Sequence, residues 1–287
     1  MKSKIPKSEI DLMVKLYKKG LSAAAICKFL PYTPHTIIDH LRERNVIIRN
    51  KGGYNPFNEN YFENINTESK AYFLGFLMAD GCITERKNSQ KCISIQLKSD
   101  DEYILRKFKS ELKTKNKIGY NEKRNHSQLK IHSNKMANDL SKYGIIPRKT
   151  GFECFPKDLI PEDLRCHFIR GFFDGDGWAT LTKSHGIENK RISIGFVSNV
   201  NMLTDIKDYF IEVLKNITDL KIHEYNDNKK GYTGFSSIIF SKFDNVKEIY
   251  DFMYNNATVY LKRKKKVIEK ALKLIPSRRR IGRPRNA

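Results

Sequence analysis

GFLMADGC (Gly75–Cys82) and GFFDGDGW (Gly171–Trp178) are one pattern written twice, with Asp80 and Asp176 separated by 176 − 80 = 96 positions. On a helix, Gly75 and Ala79 lie on one face, and so do Gly171 and Gly175. Helices with such small faces can press their backbones together, while the large neighbours Tyr72, Phe73, Phe76 and Leu77, and Phe168, Ile169, Phe172 and Phe173, pack outward into each copy's own core. Gly81 and Gly177 are expected to end the two helices in the left-handed conformation. The pattern therefore brings Asp80 and Asp176 together at adjacent helix C-termini. A carboxylate there opposes the helix dipole, at about 0.3–1 kcal/mol per charge, and a second carboxylate beside it adds repulsion. A divalent cation held by oxygen atoms resolves the conflict. Mg2+ shared between protein carboxylates and a phosphate, with Mn2+ as a substitute, is the expected form.

Around the two motifs the same order of elements recurs. Each apolar helix is followed by a strand pair with one alternating member, KCISIQLKS (Lys91–Ser99) in the first copy and KRISIGFVS (Lys190–Ser198) in the second. An amphipathic helix comes next, carrying Leu105, Phe108 and Leu112 in one copy and Leu203, Ile206, Phe210 and Val213 in the other. A second strand pair, around 118–133 and 222–241, and a shorter helix close each copy. The fold class is thus α+β, two pseudo-symmetric αββαββα repeats. The first repeat with its proline-containing connection spans 65–160 and the second spans 161–275, with a final helix near 259–275.

The chain has 287 residues, a formal charge of +22 and 39% hydrophobic residues, enough apolar side chains to bury a core. So large a positive surplus calls for a polyanion, with nucleic acid the first candidate and an anionic membrane surface the second. No apolar run approaches the ~18 residues of a membrane span, and MKSKIPKSEI has no apolar signal-peptide core. The expectation is an intracellular, non-secreted protein. Five cysteines, at 27, 82, 92, 154 and 166, include no C-x-x-C pair, which argues against a disulfide framework or a zinc ribbon.

Residues 1–50 form a separate helical unit in this reading. Ile10, Met13, Val14 and Tyr17 have helical spacing up to Gly20, Ser22 caps a second helix, and Thr33 with Pro34 opens a third. Ile37, Ile38 and Leu41 then point inward, leaving His35, Thr36, Asp39, His40 and Arg42 outside. In a chain this basic, the unit reads as a helix-turn-helix that presents His35, Thr36, His40 and Arg42 to DNA. A plain three-helix packing unit, or a protein-docking one, has the same pattern. Residues 51–64, rich in Asn and Gly, read as a linker. The tail, 276–287, contains Gly-Arg-Pro among arginines and reads either as an AT-hook-like segment or as a solvated basic tail.

FLGFLMADG (Phe73–Gly81) and FIRGFFDGDG (Phe168–Gly177) resemble the name motif of the LAGLIDADG homing endonucleases, in the single-chain, two-motif form. The first departs from the motif with Met78 where the second keeps Asp174. The resemblance implies a saddle of two sheets over the major groove of double-stranded DNA, formed by a monomer with internal pseudo-twofold symmetry. It implies metal-dependent hydrolysis of both strands of a long asymmetric site, with Asp80 and Asp176 as catalytic metal ligands and water as nucleophile. It also implies a lysine near each reacting phosphate, which repeat position assigns to Lys135 and Lys242, with Ser99 and Asn199 as candidates to orient the water. The strand faces carrying Ser94, Gln96 and Lys98, then Gln128, Lys130 and His132, and Arg191 and Ser193, are expected to contact DNA. A DNA-binding regulator that has lost cleavage and an RNA maturase remain as alternatives. An intein-derived splicing domain is disfavoured by the ordinary Met at the start and the absence of a His-Asn ending.

Overall fold

The computed structural model describes residues 5–48, 56–87, 89–183, 190–227 and 232–274. The tail read as AT-hook-like lies outside them. Three helices come first: α1 (Lys7–Lys18), α2 (Ala23–Ile26) and α3 (Pro34–Glu43). Gly20, at φ +104°, ends the first turn of chain after α1. Ser22 accepts a hydrogen bond from the Ala25 amide, and Thr33 accepts one from the Thr36 amide, so each cap satisfies an orphan donor. Met13, Tyr17, Ile26, Ile37 and Leu41 close a small core of their own, with Ile38 half-buried at its edge.

The rest of the chain is two copies of one αββαββα plan. The first comprises α4 (Glu68–Asp80), β1 (Gly81–Thr84), β2 (Cys92–Lys98), α5 (Glu102–Glu111), β3 (Gly119–Asn121), β4 (His126–His132) and α6 (Asn134–Lys142). The second comprises α7 (Glu162–Asp176), β5 (Gly177–Lys183), β6 (Lys190–Ser198), α8 (Val200–Val213), β7 (Ile222–Asp227), β8 (Tyr232–Phe240) and α9 (Phe243–Tyr254). A further helix, α10 (Lys262–Leu274), follows. Each repeat's strands form an antiparallel sheet, in the orders β1-β2-β4-β3 and β5-β6-β8-β7. Ile93, Ile95 and Leu97 on β2, and Ile192, Ile194 and Phe196 on β6, are buried, so the strand alternation turns one face of each sheet to the helices and leaves the other outward.

α4 and α7 run through a single shared core. Every residue from Ala71 to Met78 is buried, as is every one from Phe168 to Asp174, because these helices are covered on all sides by both repeats. The stretch expected as a linker over 51–64 behaves differently at its C-terminal end. Tyr61 and Phe62 are buried in that core against Phe108, and the Asn58 amide donates to Leu112 O at 2.9 Å. Two aromatic side chains ahead of the Thr67 cap outweigh the Asn-rich composition. Among the described residues no helix is long and apolar enough to cross a membrane, and all five cysteines are free.

Candidate active site

Gly75 and Gly171 fix how closely α4 and α7 approach. A Cβ on Gly75 would stand 2.0 Å from Phe168 O, and a Cβ on Gly171 would stand 2.0 Å from Tyr72 O. These are reciprocal contacts about a pseudo-twofold axis, backbone against backbone. One turn further on, a Cβ on Gly175 would meet the Ala79 Cβ at 2.3 Å and an Asp80 carboxylate oxygen at 3.4 Å. The two acids therefore leave their helices side by side.

Gly81 and Gly177 are not left-handed. Their φ/ψ values are −77°/147° and −89°/169°, extended backbone leading directly into β1 and β5. Glycine is required there for space. A Cβ on Gly81 would lie 2.4 Å from Leu77 O, and one on Gly177 would lie 2.6 Å from Phe173 O. The motif turns a helix into a strand without an intervening loop, which holds each Asp rigidly at the junction.

Asp176 is half-buried. Desolvation, then the charge of Asp80, raises its carboxyl to about 7, against the opposing fields of Lys149 and Lys264. Asp80 opens to solvent on its outer side, while the packed protein on its inner side raises its carboxyl above the ordinary value; Lys264, Lys149 and Arg263 oppose the rise. A pair of acids held together at this cost is a recurring mark of a functional site.

Two buried lysines serve the pair, and neither is one that repeat position selects. Lys149, in the connection after α6, donates from Nζ to Ala79 O at 2.9 Å. Lys264, on α10, donates to Phe173 O at 2.7 Å, Asp174 O at 2.7 Å, Gly175 O at 3.3 Å and Gly177 O at 2.5 Å. Ala79 and Gly175 are the residues just before the two acids, so the lysines occupy matching places in the two halves. Each satisfies carbonyls that the helix end leaves open and offsets the negative pole there. Burial pushes the Lys264 ammonium down to about 8.

Lys135 and Lys242 are not brought to the acids. The Lys135 ammonium lies 2.7 Å from Asp139 and 3.1 Å from Glu63, and Lys242 is the exposed residue that precedes α9. Both stand at the start of the helix that follows a repeat's last strand, and the lysines whose charges act on the acids are Lys149 and Lys264. Asn199 is also committed elsewhere. It caps α8 and donates to Glu153 at 2.8 Å, and Glu153 in turn stands 3.7 Å from Lys149. Asn199 thus acts behind Lys149 rather than at the acids. The Ser99 hydroxyl is buried without a hydrogen-bond partner.

Asp174, the earlier acid of the second motif, is fully buried. It accepts from Tyr72 Oη at 2.8 Å and from the Leu261 amide at 2.7 Å. Tyr72 therefore reaches across into the second repeat, beyond its own core. Beside it the buried Arg170 donates to Val259 O, Met253 O and Glu68, and Glu68 accepts from the Thr258 and Val259 amides. This network holds the chain between α9 and α10 that delivers Lys264.

The other expected contact residues lie on the two sheet faces and on α3. Ser94, Gln96 and Lys98 stand opposite Lys130, Gln128 and His126 on the outward face of the first sheet, with His132 opposite Cys92. Burial, with the Lys130 and Arg86 cations, pushes the His132 imidazole down. Arg191 and Ser193 stand opposite Thr182 and Thr180 on the second. On α3, His35 meets Asp39 at 2.7 Å, His40 meets Glu43 at 2.6 Å and Arg42 meets Asp39 at 3.2 Å, while Thr36 Oγ1 lies 2.9 Å from Thr33 Oγ1.

The donor set can be tested against a metal. No group of three or more His, Cys, Asp and Glu side chains suited to a metal occurs among the described residues. Two carboxylates flanked by helix-terminal carbonyls suit a hard cation that keeps much of its water or shares a phosphate. They do not suit a closed zinc or thiolate site.

Residues 67–143 match the model of a family described as the LAGLIDADG-like domain. An uncharacterised protein of Methanocaldococcus jannaschii is 27% identical over 204 residues, 67% of this chain and 72% of its own. Among solved structures, the LAGLIDADG homing endonuclease I-GzeII in complex with its DNA target superposes with a TM-score of 0.53 at 15% identity, over 76% of this chain and 94% of that one. I-LtrWI, a LAGLIDADG homing endonuclease bound to target DNA, gives 0.52 at 10% identity over 77% and 92%. The meganuclease I-SmaMI bound to uncleaveable DNA gives 0.52 at 14% identity over 76% and 92%. The doubled motif, the two-repeat fold and the match over residues 67–143 agree: the chain carries a LAGLIDADG-like domain in a fold similar to that of these endonucleases.

Proposed function

We propose that this protein is a site-specific endonuclease that hydrolyses both strands of one long, asymmetric double-stranded DNA site with a divalent metal, Mg2+ in the first place, and acts as a monomer. The observation that carries the reading is the meeting of Asp80 and Asp176 at two glycine-locked helix ends, each with a buried lysine on the adjoining carbonyl. Nothing in the core requires acids there, and their raised protonation makes them a cost to the fold in the absence of a cation.

Asp80 and Asp176 would hold the metal, each facing one strand's phosphate. When bound, it supplies Lewis-acid activation of water and neutralisation of phosphate charge. The chain's own part is positional and electrostatic. The extended glycine junctions fix the carboxylates, and Lys149 and Lys264 place positive charge where negative charge develops on the phosphorus oxygens. The outward sheet faces carry the duplex, with Gln96, Lys98, Gln128 and Lys130 suited to base edges or phosphates. Residues 1–50 are assigned as a helix-turn-helix that extends the footprint. His35, His40 and Arg42 on α3 are paired within the helix in the free protein, so they exchange Asp39 and Glu43 for DNA on binding.

The test is selection of cleaved sites from a random duplex library with Mg2+, repeated with Asp80→Asn and Asp176→Asn. The parent is expected to cut both strands of one site, and each variant to bind it without double-strand cutting. Full cutting by either variant would overturn the assignment. Binding without cutting by the parent would mark the chain as a regulator on this scaffold.

A further inference from the structure

The outward faces of the two sheets differ in kind. On the first sheet the face carries Ser94, Gln96 and Lys98 paired against Lys130, Gln128 and His126, with Cys82 and Cys92 toward β1. On the second, the register places Trp178 beside Gly195 and Gly195 beside Ile239, then Val197 beside Ser237, and Phe235 beside Tyr225. Their alternate neighbours Ile194, Phe196, Ile238 and Phe240 are core, so this set faces outward. Tyr225 is 52% exposed, Phe235 41% and Ile239 37%. The Trp178 ring lies over Gly195, where a Cβ would stand 2.3 Å from it. Ser237 donates to Tyr225 Oη at 3.4 Å, so the two hydroxyls serve each other. Among the described side chains of this face, arginine and lysine are confined to Arg191, far along β6 from this cluster, while His223 stands opposite Ser237 within it.

An exposed cluster of this kind marks an interaction surface, and its place on the molecule says what covers it. Trp178 is two residues beyond Asp176 on the strand that leaves α7, so the apolar face is continuous with the acid pair. Whatever lies against Asp176 also lies against it. Resting on the DNA reading above, we infer that the second sheet recognises its half of the site through thymine methyl groups, with Val197, Phe235 and Ile239 against a run of A·T pairs. In the major groove the thymine C5-methyl is the apolar feature of the base edges. A G·C pair and an A·T pair each offer two acceptors and a donor there, so an apolar surface removes similar water from both, and only A·T returns a methyl contact to offset that cost. The first sheet carries hydrogen-bonding side chains and reads its half differently. The two halves of the target therefore differ in composition.

The experiment uses the full chain and a site selected from random duplex DNA. Gln96→Ala relaxes base preference in the half under the first sheet, which identifies the other half. That other half is expected to be A·T-rich. Replacing its thymines with deoxyuracil, which removes the methyl alone, is expected to weaken binding about fourfold per contacted base, the worth of one buried methyl. The same replacement in the first half should have little effect. Ile239→Ala or Phe235→Ala should abolish the uracil penalty at one position, with unchanged Trp178 fluorescence reporting an intact fold. A G·C-rich second half, or uracil tolerated in both halves, overturns this inference and leaves DNA recognition standing. Failure to recover any duplex site overturns the DNA reading itself, and this inference with it. Tighter binding to single-stranded nucleic acid than to duplex, lost with Tyr225→Ala and Phe235→Ala, assigns the face to base stacking and overturns the thymine reading.

Discussion

Gly75→Ala is expected to destabilise the two-repeat body by about 3 kcal/mol, although on an exposed helix the same change stabilises by about 1 kcal/mol. The new methyl would lie 2.0 Å from Phe168 O and 2.9 Å from Phe172 N, both main-chain atoms that cannot swing aside. Contact at a normal distance needs α4 and α7 to part by about 1 Å. Taking on the order of 40 heavy-atom pairs across the interface at about 0.15 kcal/mol each, parting by 0.5–1 Å forfeits a quarter to a half of about 6 kcal/mol, or about 1.5–3 kcal/mol. Residual overlap adds about 1–3 kcal/mol, and the helix-propensity gain takes back about 1 kcal/mol.

The pseudo-twofold makes the test sharper. Gly171→Ala drives a methyl to 2.0 Å from Tyr72 O, across the same interface. Once one methyl has parted the helices, the second meets little further resistance. The double variant should then cost little more than either single one, a coupling of about 2 kcal/mol between sites in contact. Gly119→Ala is the control: its methyl would lie 3.9 Å from the nearest atom, Gln128 O, and should change stability by less than about 0.5 kcal/mol. Urea unfolding followed by the fluorescence of Trp178, the chain's single tryptophan, reports on this body rather than on the N-terminal core. A neutral Gly75→Ala, or strictly additive singles, would refute the argument.

Three further outcomes are expected. Asp176 has a folded pKa of about 7 against about 3.9 in an unfolded chain, so the folded metal-free protein binds the extra proton and loses stability as pH rises between those values. At about 1.4 kcal/mol per unit the ceiling is about 4 kcal/mol, and solvent on the open side of the half-buried carboxylate reduces it to about 2 kcal/mol. Asp176→Asn should therefore be the more stable protein at pH 8 in EDTA, with the difference closing by pH 4 in thermal melts. Lys264→Met and Lys149→Met should each lower cleavage by about 100-fold or more, the scale for loss of one transition-state charge partner, whereas Lys135→Ala should cut at the parental rate; equal losses in all three would contradict the placement. Removal of residues 1–48, whose core is separate, should weaken binding and shorten the footprint while leaving the single-turnover rate unchanged.

How much of this was legible in the sequence depends on where each feature's cause lies. The repeat and its strands follow from local periodicity, which is why the alternation in Lys190–Ser198 coincides with β6 residue for residue. The acid pair follows from the small-residue spacing before it. The lysines resist such reading because they come from connections of unequal length: 149 − 80 = 69 residues beyond one acid and 264 − 176 = 88 beyond the other. Alignment of the repeats cannot find them. A signal for Lys264 did exist, since Lys264, Ile268 and Ala271 recur at helical spacing and all three are buried. A lysine on the apolar stripe of a helix needs a buried anion or carbonyls, but the run LKRKKK disguised it as one more surface cation. The outward face of the second sheet was obscured in the same way, because Gly195, Val197 and Ile239 look like continued core until the register assigns them to the other side.

The same division explains which features the two halves share. At the axis, each glycine faces the other helix's backbone at the same 2.0 Å, so a change in one motif acts on both helices and the halves are held alike. Away from the axis the two halves need not match. Met78 stands where Asp174 is bound by Tyr72 and the Leu261 amide, Lys149 arrives from a connection and Lys264 from a helix, and a polar sheet face is matched by an apolar one. A homodimer of this fold repeats any such change on both sides, whereas a single chain does not. If the halves bind DNA, the asymmetry belongs to the target: a duplex site with two unlike halves suits this surface, and a palindrome leaves one sheet against bases it does not fit.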